Sequence, residues 1–248
     1  MSKYVHIHIG KTGGSYFWRS FSALFQNSHC HLSKPRCDKN KIFVVTIRNP
    51  ISRFVSAFNY SYVVAITDVS KIEIFDFTTS LNPGPHRKKK EKNLQYVYSP
   101  EYEKLLKYFE TANNLAESLS SNDVDVRTKA HKLMNFREEH IFHGIGYYLH
   151  NGEFVKTMKN NLIVIRMEKM EEDIQKFIQK SNAVRTPITQ KIRENKLSDK
   201  YLSELAIKNI INFYKNSDYA ALNELYNANL IDKETLDSYY IYENITIK

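Results

Sequence analysis

Three of the chain's seven glycines, Gly10, Gly13 and Gly14, fall within five consecutive positions. The usual glycine share is about 7%, and this chain has only seven in 248 residues, so backbone freedom is concentrated at one point. Before that point Val5, Ile7 and Ile9 alternate with more polar neighbours, the period of a strand. After it Phe17, Phe21, Leu24 and Phe25 recur at helical spacing. The reading is strand, glycine turn, helix. Such a turn presents backbone N–H groups at a helix start, where the macrodipole favours anions. Lys11 adds a full charge there, and the Thr12 and Ser15 hydroxyls are further candidate donors. Two familiar phosphate loops do not fit. In G-x-x-x-x-G-K-[ST] the first glycine would fall at position 5, which is Val5, and the glycine spacing does not match G-x-G-x-x-G.

A second segment pairs with the first. Residues Lys41 to Ile47 form an apolar run of the kind covered on both faces of a sheet. It ends in Arg48-Asn49-Pro50, with Asn49 as N-cap and Pro50 at the first helical position. Ile51, Phe54, Val55 and Phe58 then make a core face, with Arg53 and Ser56 off that stripe on one turn. Arg48 and Ser56 are candidates for a second anion site. Downstream, Tyr102, Leu105, Leu106 and Phe109 mark one core helix, and Leu202, Leu205, Ala206, Ile210 and Phe213 another.

The chain is rich enough in apolar residues, at 42%, for one core, and no apolar stretch reaches the roughly 18 residues a membrane span needs. It is read as a single domain over residues 1–248: a three-layer α/β, P-loop-like core with a parallel sheet and additional C-terminal helices. A strand pattern beginning almost at Met1 leaves no room for a cleavable leader, so a cytoplasmic setting is expected. Cys30 and Cys37 are read as reduced thiols, and no Cys/His spacing suggests a metal set. A net charge of +9 favours anionic partners, but no nucleic-acid-binding motif accompanies it.

Residues His8 to Ser15, His-Ile-Gly-Lys-Thr-Gly-Gly-Ser, resemble the phosphosulfate-binding loop of the sulfotransferases, and Arg48 to Ser56 resemble their R-[DN]-P-x-x-R-x-x-S motif. Leu162 to Asp173 is similar to the strand and acidic helix late in that family's core, with a weaker likeness around Phe213 to Tyr219. Gly10 stands where the family usually has Pro, and Asn49 where Asp is commoner. The resemblance implies sulfuryl transfer from 3′-phosphoadenosine 5′-phosphosulfate, PAPS, without a metal. It implies binding of the donor by Lys11, Thr12, Gly13, Gly14 and Ser15, with the 3′-phosphate on Arg48 and Ser56.

His29-Cys30-His31 resembles the His-x-His of the heparan and chondroitin uronosyl 2-O-sulfotransferases. That likeness implies His31 as general base, His29 as its helper or an acceptor ligand, and a carbohydrate-like hydroxyl as acceptor. His140 and His143, read as i, i+3 on a helical face beside Glu138 and Glu139, form the rival cluster; His6 and His8 are read as structural. Residues 82–92, turn-rich and then strongly basic, are read as a loop, either solvated or touching an anionic acceptor. Arg185, Lys191 and Arg193 are candidates to close over the donor phosphates. A kinase with a degenerate phosphate loop and a non-catalytic nucleotide- or polyanion-binding protein are the alternatives.

Overall fold

The strand β1 (Tyr4–Ile7) is followed by two short helices, α1 (Gly14–Ser20) and α2 (Ser22–Phe25), then β2 (His29–Cys30), β3 (Ile42–Ile47) and the long helix α3 (Pro50–Ile66). A hairpin, β4 (Arg87–Lys90) and β5 (Asn93–Tyr96), precedes α4 (Pro100–Phe109), α5 (Ala112–Ser118), α6 (Val124–Met134), α7 (Ile145–Tyr148) and α8 (Glu153–Met158). The last strand, β6 (Leu162–Arg166), leads to α9 (Met170–Ser181), α10 (Glu204–Tyr214), α11 (Asp218–Asn227) and α12 (Lys233–Ser238). This computed structural model describes residues 2–26, 28–66, 98–137, 139–188 and 199–243, and the backbone alone of 87–90 and 93–96.

The sheet runs β2-β1-β3-β6 and all its pairings are parallel. From β1 the chain goes first to one side, to β2, and then crosses to the other, to β3. The carboxyl ends of β1 and β3 therefore flank the point where strand order reverses, the usual position of a ligand crevice in open α/β sheets. The alternation of β3 explains the layers. Phe43, Val45 and Ile47 join Ile51, Phe54 and Phe58 of α3 in one core, while Val44 joins Phe17, Phe21, Phe25, Ile174 and Phe177 in the other. Two apolar faces on one strand require a covering layer on each, which is the three-layer arrangement expected.

Several local readings are corrected. The first helix breaks at Phe21, where φ is −133°, although Phe17, Phe21 and Phe25 all stay buried. The α4 face is as expected: Tyr102, Leu105, Leu106 and Phe109 are all buried. In α10 Leu205 is 49% exposed and the buried polar residue Asn209 takes its place, its amide donating to the Ala116 carbonyl at 3.0 Å and to Ser120 Oγ at 2.8 Å. Arg87–Lys90 of the basic segment is a strand paired antiparallel with Asn93–Tyr96, not loop. The rest of residues 82–92 lies outside the described residues, as do Glu138, Lys191 and Arg193.

Candidate active site

The glycine turn is built by constraints on each side of it. Gly13 has φ +77°, which a side chain adopts only with strain, and caps the start of α1. Lys11 also lies in the left-handed region, with φ 70°, at a cost of about 1–2 kcal/mol for an L side chain. Its ammonium sits over the Tyr60 ring, 3.3 Å from the centroid. Thr12 is fully buried, and its hydroxyl bonds to the Ile9 carbonyl and to Thr46 Oγ1, both at 2.8 Å. That hydroxyl ties the loop to β3 and is already engaged within the protein. Ser15 is exposed, its Oγ 3.5 Å from His8 Nε2.

The second segment reaches the first directly. Arg48 Nη1 donates to the Lys11 carbonyl at 3.3 Å, joining the ends of β1 and β3. Asn49 caps α3 through Oδ1, which accepts from Ile51 N at 2.9 Å and Ser52 N at 3.2 Å. Its amide nitrogen donates to the carbonyls of Ser238 and Ile241 at 3.1 and 2.8 Å. An aspartate could cap but could not make those two bonds, which is the physical reason for Asn here. Ser56 is half-buried on α3, about two turns beyond Arg48.

Arg53, expected off the core stripe, is fully buried. Its guanidinium donates to the His140 carbonyl at 2.7 Å, the Ile141 carbonyl at 3.2 Å and Tyr214 Oη at 3.4 Å. Nε lies 3.7 Å from Asp218 Oδ2. This network corrects the helical reading of His140 and His143: residues 139–144, ahead of α7, form turns and irregular backbone and no helix. The carbonyls that a helix would use are spent on Arg53. The turn also places the His140 ring against Gly10, where an added Cβ would lie 2.5 Å from His140 Nδ1. A proline at position 10 carries that Cβ, so Gly10 and His140 are matched.

The largest difference from the sequence reading concerns the histidines. β1 and β2 pair with His6 opposite His29 and Ile7 opposite Cys30, so the two His-x-His runs lie side by side on one face of the sheet. His8 stacks on His31 with centroids 4.5 Å apart, and His140 closes on His31 at 5.5 Å. His8 Nδ1 and His29 Nε2 are 2.9 Å apart. His8, just past the end of β1, is therefore part of the cluster at the loop. His31 Nδ1 lies 3.1 Å from the His8 carbonyl; a carbonyl only accepts, so Nδ1 carries a proton there and Nε2 is left as the nitrogen that can exchange one. Just beyond it Leu32 N donates to Tyr148 Oη at 3.0 Å, holding the turn that follows.

Burial is the first cause that lowers the pKa of His6, His8, His29 and His140. It lowers His6, His8 and His140 well below the ordinary imidazole value, reinforced in each case by neighbouring histidines. His29 is pushed down to about 4 by its surroundings and by His31, although its edge reaches solvent. Arg185, the described member of the three late basic candidates, is held by Glu171, with contacts of 2.7 Å, and by Tyr16. No helix among the described residues is long and apolar enough to cross a membrane.

The family model described as "Sulfotransferase family" matches residues 5–224. No curated protein and no solved structure gives a significant match.

Proposed function

The chain belongs to the sulfotransferase family, and from that premise we propose that it transfers a sulfuryl group from PAPS to a hydroxyl of a carbohydrate-like acceptor. The observation that carries this reading is the contact of Arg48 with the Lys11 carbonyl, which sets two cationic segments at the carboxyl ends of neighbouring strands. Lys11, with the N–H groups of Thr12, Gly13, Gly14 and Ser15, would hold the phosphosulfate end. Arg48, suited to paired contacts with phosphate oxygens, and Ser56 would hold the 3′-phosphate.

His31 Nε2 would take the proton of the acceptor hydroxyl as its oxygen bonds to sulfur. The S–O bond to the donor phosphate breaks in the same transfer, and Lys11 offsets the negative charge left on that phosphate. His29, on the exposed edge of the same face, would orient the acceptor or assist His31. Swinging Lys11 from the Tyr60 ring to an anion exchanges a cation–π contact worth about 0.5–2 kcal/mol for a charge-assisted bond.

Calorimetry with the desulfated donor product, 3′-phosphoadenosine 5′-phosphate, tests the reading. Binding is expected without magnesium, with a large loss when the 3′-phosphate is removed. Equal binding of 5′-AMP or ATP would favour a kinase. His31→Ala should abolish transfer and spare donor-product binding; surviving transfer would move the base elsewhere. Labelled PAPS with mixed glycans should yield a labelled glycan, whereas a non-catalytic binding protein would transfer nothing.

A further inference from the structure

Two His-x-His runs on adjacent parallel strands make a patch of imidazoles whose consequences extend beyond a single base. Neighbouring strands are about 4.8 Å apart and same-face residues of one strand about 6.6 Å apart, so three such rings define a triangle small enough to close on one ion. Nitrogen atoms of His6, His8 and His29 all lie within 4.8 Å of one another. Those of His8 and His29 are 2.9 Å apart, close to the roughly 3.3 Å separation of two imidazole nitrogens on a tetrahedral ion with bonds of about 2.0–2.1 Å.

His6 supplies an independent observation. It is fully buried beside Phe17 and Phe25, with centroids 5.4 and 5.3 Å away, and neither of its ring nitrogens has a hydrogen-bond partner. A buried polar group left so costs about 1–3 kcal/mol, and a bond to a cation would satisfy it. Nearly parallel to His8, with an interplanar angle of 16°, the His6 ring needs to turn about χ2, a broad torsion in histidine. His29, whose edge is exposed, gives an ion its way in from solvent.

We propose that His6, His8 and His29 form a binding site for a divalent transition-metal ion, zinc(II) in the first instance. Three neutral imidazoles are a ligand set that suits zinc, leaving a fourth position for water. His31, stacked on His8, stays outside the set. The assignment does not rest on the transfer reaction, because metal uptake is read with neither donor nor acceptor present.

The test uses the full chain without a polyhistidine tag, stripped with chelator, dialysed and titrated with zinc(II), and with cobalt(II) as a spectroscopic probe. One zinc per chain is expected, with intense visible cobalt bands of a four-coordinate site. His29→Ala, at the exposed edge, should weaken zinc binding by more than the roughly 10–100-fold that loss of an outer-sphere partner costs. His8→Gln should do the same, and His150→Ala, outside the patch, should leave affinity unchanged. No stoichiometric uptake, or uptake indifferent to both His29→Ala and His8→Gln, would overturn the site. A folded circular dichroism spectrum for each variant keeps loss of metal distinct from loss of fold.

Discussion

Arg53→Met removes a guanidinium from a site with no access to solvent and keeps most of its stem. Three hydrogen bonds, to the His140 and Ile141 carbonyls and to Tyr214 Oη, are lost. Asp218, 1% exposed, keeps the bond from Gly146 N at 2.9 Å but loses the cation 3.7 Å away. Burial already raises the Asp218 carboxyl, and Arg53 is the first influence opposing that rise. Breaking one side of a buried pair costs about 3–5 kcal/mol. At about 2–4 °C per kcal/mol for a chain of this size, Tm should fall by roughly 6–20 °C. Asp218→Asn keeps an acceptor for Gly146 N while discarding the charge, so a double-mutant cycle isolates the ionic part. Denaturant unfolding of the four proteins should give a coupling of about 0.5–3 kcal/mol. A smaller coupling, or Arg53→Met losing less than about 1 kcal/mol, would refute the view that this pair holds the 140–144 turn and the start of α7 in place.

Gly13→Ala should lose about 1–2 kcal/mol from the φ of +77° alone; unchanged stability by thermal melting would mean the turn has another conformation. Asn49→Asp keeps the cap of α3 but deletes the bonds to Ser238 and Ile241, so amide exchange around α12 should quicken and stability fall by about 1–3 kcal/mol. Unaltered protection there would disprove the tie between Asn49 and the end of α12. Buried His143 is pushed down to about 4, by burial first and by Arg53 next. Its folded pKa lies below its unfolded value, so the unfolded chain binds the extra proton and stability falls as pH drops from about 6.5 towards 4, by at most about 1.4 kcal/mol per pH unit. Tm measured against pH should fall less steeply in His143→Gln, and parallel curves would reject the assignment.

What could be read from the chain was what depends on near neighbours. The strand marked by Val5 and Ile7, the cap Asn49-Pro50 and the stripe of α4 are local and stand as expected, while Ile9 is buried just past the end of β1. A helical wheel sees only its own helix, and so sets Arg53 off the core stripe. Its partners are 87, 88, 161 and 165 residues away in sequence. The same limit hid the histidine patch. His6-Ile7-His8 and His29-Cys30-His31 each show the period of a strand, but only the register of parallel pairing makes them one surface, and a slip by one residue would turn two of the rings to the other face. His140 could be placed against Gly10 only once the carbonyls of its turn were known to belong to Arg53.

The R-[DN]-P-x-x-R-x-x-S segment holds two arginines in different surroundings, and on the proposed function their variants should separate cleanly. Arg48 is half-buried and binds the Lys11 carbonyl at the strand ends, whereas Arg53 is enclosed. A charge-assisted bond is worth about 1.5–3 kcal/mol, so Arg48→Ala should weaken binding of the desulfated donor product by roughly 10- to 150-fold with little change in Tm. Arg53→Lys keeps the charge beside Asp218 but cannot reach both carbonyls in a fork. It should lower Tm, and in the surviving folded protein it should leave donor-product affinity within a few-fold of wild type. If Arg48→Ala bound the nucleotide normally while Arg53→Lys did not, the 3′-phosphate would have to lie on the other side of α3, and the site drawn at the ends of β1 and β3 would be wrong.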